Sequence, residues 1–377
     1  MNTSREAQLN TSQHTHTPSV SSSAIVFTSC ELIDAAERES QLAQAADAGG
    51  GAAKPAVKRR EVMVKGRRAK TIDVHAHCII PEAMKVVGQD ASTHHQPGIV
   101  LVPEERLRAM DEQGIDMEAL SINPFWYGAD RDRAAEAVRI NNEGLAELCG
   151  KHSDRFVAFA SVALQFPELA VQQLEHAVKK LGLRGTAVGA SVANEEFADP
   201  KFHPFWRKCE ELGVLVFLHP QGTPDLARRL QGSGGLDNII GNPLDTTIAL
   251  SHMIFEGTLD AFPGLKICSA HGGGYLASYM DRSDAVMKTF PKRITVKIKK
   301  KPTEYLKQLY YDALIFTPEA LRHLVANVGS SQIVLGTDYP YPWDDKTVDH
   351  IMNTPSLSDE ERVAILGGTA AKLLGIN

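Results

Sequence analysis

The chain has 377 residues, 43% hydrophobic and 23% charged, with a net charge of -6 and an isoelectric point near 6.2. That balance supplies enough apolar side chain for a large core and gives no basic patch of the kind that nucleic acid or an anionic membrane requires. No apolar run approaches the roughly 18 residues of a membrane span, so the composition points to a soluble protein with a small-molecule partner.

The stretch "MNTSREAQLNTSQHTHTPSVSSS" is polar and nearly devoid of large apolar residues. It is predicted to be disordered, because it cannot bury enough surface to offset chain entropy. "CELIDAAERESQLAQAADAGG" reads as a short helix before a "GGGAAKP" linker, and no basic start followed by an apolar segment marks a signal peptide. His14 and His16 in this tail read as solvated polar sequence. Residues 1–68 are thus expected to form a disordered extension and linker, and residues 69–377 a single folded domain. The five cysteines, Cys30, Cys78, Cys149, Cys209 and Cys268, are odd in number and include no CxxC pair. This predicts a reducing, cytoplasmic setting without a disulfide framework or a cysteine zinc site.

From residue 71 onward short β-rich runs alternate with helical patterns, the sequence sign of repeated βα units and a mostly parallel sheet. Eight strands are predicted: "TIDVHAH" at 71, "MEALSIN" at 117, "FVAFASV" at 156, "GTAVGAS" at 185, "VLVFLHP" at 214, "LKICSAH" at 265, "LYYDAL" at 309 and "QIVLGTD" at 332. Amphipathic segments lie between them, including those that begin at Pro103, Pro167 and Thr317. The last two carry proline at the start and glycine at the end, as helices prefer. Eight such units predict an α/β fold of the (β/α)8 TIM barrel type. An open doubly wound sheet is the competing architecture, but no GxGxxG follows an early strand. Residues 78–102 and 220–242 are long connections after strand C-termini, on the face where a barrel carries its active site.

The strand ends carry the chemistry. His75 and His77 end the first strand, His219 the fifth, His271 the sixth and Asp338 the eighth, so a closed barrel brings all five to one rim. Residues two apart in a strand share a face about 6.5 to 7 Å apart along the chain, which lets two imidazoles converge on one ion. Imidazole and carboxylate without thiolate suit one divalent ion, with Zn2+ first and Mn2+ second. Three histidines and one aspartate leave open positions, as a catalytic site needs. Each histidine alone reads as an ordinary hydrogen-bonding residue, and only their joint placement argues for a metal. His252 and His203 read as packing or capping residues, and His94 and His95 sit in the first long loop.

In this order and spacing, "DVHAH", "FLHP", "SAHGGG" and "LGTDYP" resemble the amidohydrolase superfamily of metal-dependent hydrolases, in its nonoxidative decarboxylase branch, which contains 2-amino-3-carboxymuconate-6-semialdehyde decarboxylase. The resemblance covers residues 70–377 and extends to "RLRAMDEQGIDMEALS", "PELAVQQLEHAVKKLG", "NPLDTTIALSHMIFEGTLDAFPGLKI" and "YYDAL". It implies that His75, His77, His219 and Asp338 hold the metal, with His271 an acid/base beside metal-bound water and Asp338 sharing in proton transfer. It further implies that Arg282 reaches across a dimer interface to a substrate carboxylate, a task its planar fork suits. The other reading of Arg282 is a surface residue paired with Asp281 or Asp284.

The chain departs from that branch in two places. Residues 82–102 contain no arginine, and Gln221, not tryptophan, stands two residues after His219. The expected substrate is therefore a hydroxylated aromatic carboxylic acid or another muconate-like ring-fission product. Gln221, Trp126 and its neighbours Phe125 and Tyr127 are candidates to line a flat-ring pocket, or else simple rim packing. A hydrolase or hydratase acting on a lactone, ester, amide or enoic acid is the alternative, since it needs the same ligands. Its binuclear form uses a lysine at the end of the fourth strand, which "GTAVGAS" lacks. A noncatalytic barrel subunit is a third reading, and no lost ligand supports it.

Overall fold

The structure, a computed structural model, describes residues 58–93, 96–343 and 346–376. The expectations for residues 1–57 and for His94 and His95 lie outside the described residues. Eight parallel strands follow one another: β1 (Ile72–His77), β2 (Met117–Ser121), β3 (Phe156–Ala158), β4 (Gly185–Val188), β5 (Leu215–Leu218), β6 (Lys266–Ser269), β7 (Tyr310–Asp312) and β8 (Ile333–Val334). The β1 to β3 ladder and the β4 to β8 ladder are joined at both seams. Ala160 bridges Thr186 at one, and Asp73 bridges Leu335 and Ala76 bridges Tyr339 at the other. The sheet therefore closes on itself, and the predicted (β/α)8 barrel is the fold.

Residues 58–68 depart from expectation, because they are folded. Met63–Val64 pairs antiparallel with Arg67–Arg68 around a turn in which Lys65 and Gly66 have φ of 52° and 74°, the double left-handed geometry of a tight hairpin. Val62 and Val64 are buried, and Arg59 and Arg68 both reach Asp116 Oδ1, at 2.6 and 2.7 Å. Two apolar side chains and an arginine clamp hold to the barrel a segment whose charged composition reads as linker.

Every strand of the barrel contributes to one apolar cluster that includes Ile72, Val74, Ala119, Val157, Ala187, Leu215, Phe217, Cys268 and Val334, with Tyr310 packed against it. Only the barrel interior is open to all eight strands, so this is the inner core. Phe159 and Phe217 stack in it with ring centroids 5.8 Å apart. Leu215 and Phe217 face inward, so by strand alternation His219 does too, one layer higher. β1 differs. Its register against β2 shifts between Asp73 and Ala76, a bulge that resets the alternation. Ile72 and Val74 face the core below, and His75 and His77 take the inward positions above them.

Helices cover the outside and begin where the sequence places them. Pro103, Pro167 and Pro318 stand at first-turn positions, and the Thr317 hydroxyl caps the last of these helices by accepting from Ala320 N. Among the described residues no helix is long and apolar enough to cross a membrane.

Candidate metal centre

Above the Phe217 ring, His75, His77, His219 and Asp338 come together, all fully or almost fully buried. One ligand atom from each lies within 4.8 Å of the others. His75 Nε2 is 2.9 Å from His77 Nε2, and both are 3.0 Å from Asp338 Oδ1. The opposite edges of the rings are held from outside. His75 Nδ1 lies 2.6 Å from Asp312 Oδ2, His77 Nδ1 3.2 Å from Ser121 Oγ, and His219 Nδ1 donates to Pro220 O at 2.8 Å. With Nδ1 of His219 donating, its Nε2 presents a lone pair, and that atom is buried without a hydrogen-bond partner. A buried acceptor left unsatisfied is costly. Here it points where two other Nε2 atoms and a carboxylate oxygen converge, so the donor set fits one divalent cation, with outer partners of the kind that orient metal-ligating histidines.

The electrostatics agree. Burial lowers His77 to about 4, and burial with neighbouring histidines holds His219 well below its ordinary value, so both are neutral at pH 7, as metal ligation requires. Burial also works against a charge on His75, but the Asp338 and Asp312 carboxylates outweigh it and raise His75 to about 10. Despite burial, the histidines hold Asp338 well below the carboxylate range. Without an ion, one proton on His75 offsets two buried carboxylates, and a cation entering on the Nε2 side takes over that role.

Local backbone geometry sets these positions. Asp73, the first residue of "DVHAH", accepts from His75 N at 2.9 Å and from Thr337 N at 3.1 Å, tying β1 to the chain leaving β8. Gly336 lies between these elements because a Cβ there would meet the Cβ atoms of Asp312 and His75 at 2.8 and 2.9 Å. Arg106, buried at 2% exposure, pairs with Glu118 of β2, donates to His77 O at 2.7 Å and lies 4.7 Å from the Tyr339 ring centroid. His271 and Asp338 both occupy the left-handed region, with φ of 54° and 60°, a strain that recurs at functional positions.

His271 is not one of the converging ligands. Its Nε2 is 3.7 Å from Asp338 Oδ2, too far for a hydrogen bond, and its Nδ1 is buried without a partner. The ring packs edge-on to His75 and His219, with centroids 5.1 and 5.3 Å away. It stands beside the centre with an unengaged nitrogen.

The remaining expectations divide. Trp126 is 0% exposed and its Nε1 donates to Val162 O at 2.9 Å. It lines no space that a ligand can enter, so its place in the expected pocket is corrected to core packing. Gln221 lies near His219, but its amide donates to Pro124 O at 2.8 Å, and a Cβ on Gly189 would meet its Oε1 at 2.0 Å. Arg282 is exposed on the helix Leu276–Thr289, and only its backbone N bonds Asp281. Among the described residues its guanidinium has no ion pair. His252 is partly exposed and pairs with Glu256 one turn along its helix, rather than packing or capping, and the His203 ring packs on Phe262. β4 ends in Val188 followed by Gly189, with no lysine to bridge a second ion. A cavity of about 850 Å³ lined by Lys266, Tyr310 and Gln332 lies at the starts of the later strands, at the other end of the barrel.

Sequence reasoning missed Asp312, Ser121 and Trp343. Asp312 carried a readable signal, since it ends the seventh strand in "LYYDAL" as His219 ends the fifth.

The loop after His219 is anchored by Asp245, which accepts from Gln221 N at 2.8 Å. Burial pushes its carboxyl up from 3.8 to about 7. A raised acid pKa means that the folded state holds the proton more tightly. The stabilisation is complete below about pH 4 and is lost as pH rises through 7, by on the order of 4 kcal/mol. Asp245→Asn is expected to flatten this dependence in urea titrations between pH 4 and 8 with chelator present. An unchanged slope would remove Asp245 as its source.

Residues 72–376 match the Amidohydrolase family. The chain is 30% identical over 278 residues to 2-amino-3-carboxymuconate-6-semialdehyde decarboxylase of Dictyostelium discoideum, covering 73% of this chain and 77% of that one. It is 32% identical over 293 residues to gamma-resorcylate decarboxylase of Polaromonas sp. strain JS666, covering 73% and 88%. Among solved structures, a dihydroxybenzoic acid decarboxylase from Polaromonas sp. JS666 with bound manganese and the inhibitor 2-nitroresorcinol superposes with a TM-score of 0.72 at 29% identity, covering 82% of this chain and 98% of that one. A closed eight-stranded barrel, three histidines and an aspartate converging at its rim, and a family match that spans the whole barrel place this chain in the amidohydrolase family.

Proposed function

We propose that this chain is a metal-dependent nonoxidative decarboxylase, a carboxy-lyase acting on a hydroxylated aromatic carboxylic acid or a muconate-like ring-fission product. The observation that carries this reading is His271, a histidine beside a complete ligand set with one nitrogen unengaged. The decarboxylases among its relatives supply the substrate class. His75, His77, His219 and Asp338 would hold one divalent ion. The donor set puts Zn2+ first, and the manganese of the Polaromonas enzyme supports Mn2+ as the other ion to test.

When bound, such an ion polarises a substrate oxygen or water and offsets developing negative charge. The chain's own residues do the rest. As the bond between the carboxyl carbon and the ring or chain carbon breaks, its electron pair stays on that carbon and carbon dioxide leaves. A proton must then reach the same carbon, and His271 at the rim is the group placed to deliver it. Arg282 would pair with a substrate carboxylate across a homodimer interface. Its exposure, and that of Tyr275 and Tyr279 on the same helix at 39% and 68%, support that arrangement. Four free cysteines, Cys78, Cys149, Cys209 and Cys268, support a cytoplasmic setting.

The test is carbon dioxide release from a panel of hydroxybenzoates and muconates by protein loaded with Zn2+ or Mn2+, with metal content measured alongside. Release that disappears on chelation and returns with one of these ions is expected. A stoichiometric ion, no gas from any acid and turnover of a lactone would instead make the chain a hydrolase.

A further inference from the structure

Asp338 has two oxygens in different surroundings, and one side chain accounts for the difference. Oδ1 faces His75 Nε2 and His77 Nε2 at 3.0 Å. Oδ2 accepts a hydrogen bond from the indole Nε1 of Trp343 at 3.0 Å. The chain folds back to make this contact. Asp338 sits at φ 60°, Tyr341 N donates to Asp338 O at 3.0 Å, and Trp343 N donates to Tyr341 O at 2.9 Å. The indole is held on its other side by Phe316, from the connection after β7, with ring centroids 5.1 Å apart. Trp126 and Trp206 are buried, whereas Trp343 is 37% exposed at the rim, so packing alone is a poor account of its position.

We propose that Trp343 is a positioning residue. Its indole N–H fixes Oδ2 of Asp338, so that Oδ1 is held toward His75 and His77. The inference rests on the metal-dependent reading above. His271 Nε2 lies 3.7 Å from that same Oδ2, within ion-pair reach but beyond hydrogen-bond distance. Hydrogen bonds that orient a ligating carboxylate are worth about 10- to 100-fold in metal affinity or activity.

Trp343→Phe keeps a ring against Phe316 and removes only the donor. The variant is expected to bind Mn2+ about tenfold or more weakly by direct titration. At saturating metal, the visible spectrum of the Co2+ form is expected to change as Asp338 turns, and kcat to fall with KM nearly constant. Phe316→Leu, which disturbs the stack and keeps the N–H, is expected to hold Mn2+ within about twofold of the parent protein. Wild-type Mn2+ affinity and an unchanged Co2+ spectrum in Trp343→Phe would overturn the assignment. So would an equal loss in Phe316→Leu, or a rise in KM alone, which would make Trp343 a substrate contact. A parent protein that takes up no ion would overturn the metal-dependent reading itself, and this inference with it.

Discussion

His77→Ala is expected to abolish stoichiometric metal binding, whereas His271→Ala is expected to keep the ion and lose turnover by roughly a hundred- to ten-thousand-fold. The two residues are both rim histidines and differ in what surrounds them. His77 is 2% exposed, and its Nε2 lies 2.9 to 3.0 Å from His75 and Asp338. Truncating it removes one of four donors and leaves His75 and the Asp338 carboxylate facing a hole. His271 lies outside that cluster and gives the ion nothing directly. Its loss removes the proton carrier while Gly272 N still donates to Asp312 Oδ1 at 2.8 Å and holds the loop. Equilibrium dialysis with metal analysis separates the two outcomes. Equal loss of metal in both variants would make His271 a fifth ligand and send the proton elsewhere.

How far the sequence anticipated this can be followed residue by residue. The barrel was legible because eight β-rich runs alternate with helices punctuated by proline and glycine, and local chemistry alone sets both signals. His75, His77, His219 and Asp338 were legible because parallel strands bring their C-terminal ends to one face. The bulge in β1 was not legible. Strict alternation puts His75 on the opposite face from Val74, and only the register against β2 shows both turned inward. Nor was the burial of Trp126 legible, since "NPFWYG" reads equally as rim or core, and a carbonyl 36 residues away takes its N–H. Residues 58–68 misled because charge dominates their composition, whereas two valines and an ion-pair clamp decide their fate. Long-range partners, such as Asp312 for His75, lie 237 residues apart. No local pattern encodes such a pairing.

That pairing gives the second large effect. Asp312→Asn is expected to leave the fold nearly intact and to weaken metal binding by about 10- to 100-fold. The side chain has two roles on two oxygens. Oδ1 accepts from Gly272 N at 2.8 Å and Leu314 N at 3.2 Å, and Oδ2 lies 2.6 Å from His75 Nδ1. In the variant the amide oxygen must stay with the two backbone donors, because turning it round would set an NH2 against two buried N–H groups. The NH2 then faces His75, and Nδ1 has to become the acceptor. His75 is forced into the tautomer that carries its hydrogen on Nε2, the nitrogen that faces the other ligands, so one donor is lost without any change of shape. Thermal unfolding in chelator should therefore differ little between the variant and the parent, while Zn2+ and Mn2+ titrations differ strongly. Parental affinity in the variant would mean that Asp312 holds the His271 loop but does not set the state of His75. A large loss of stability in chelator would mean that its charge serves the fold before it serves the metal.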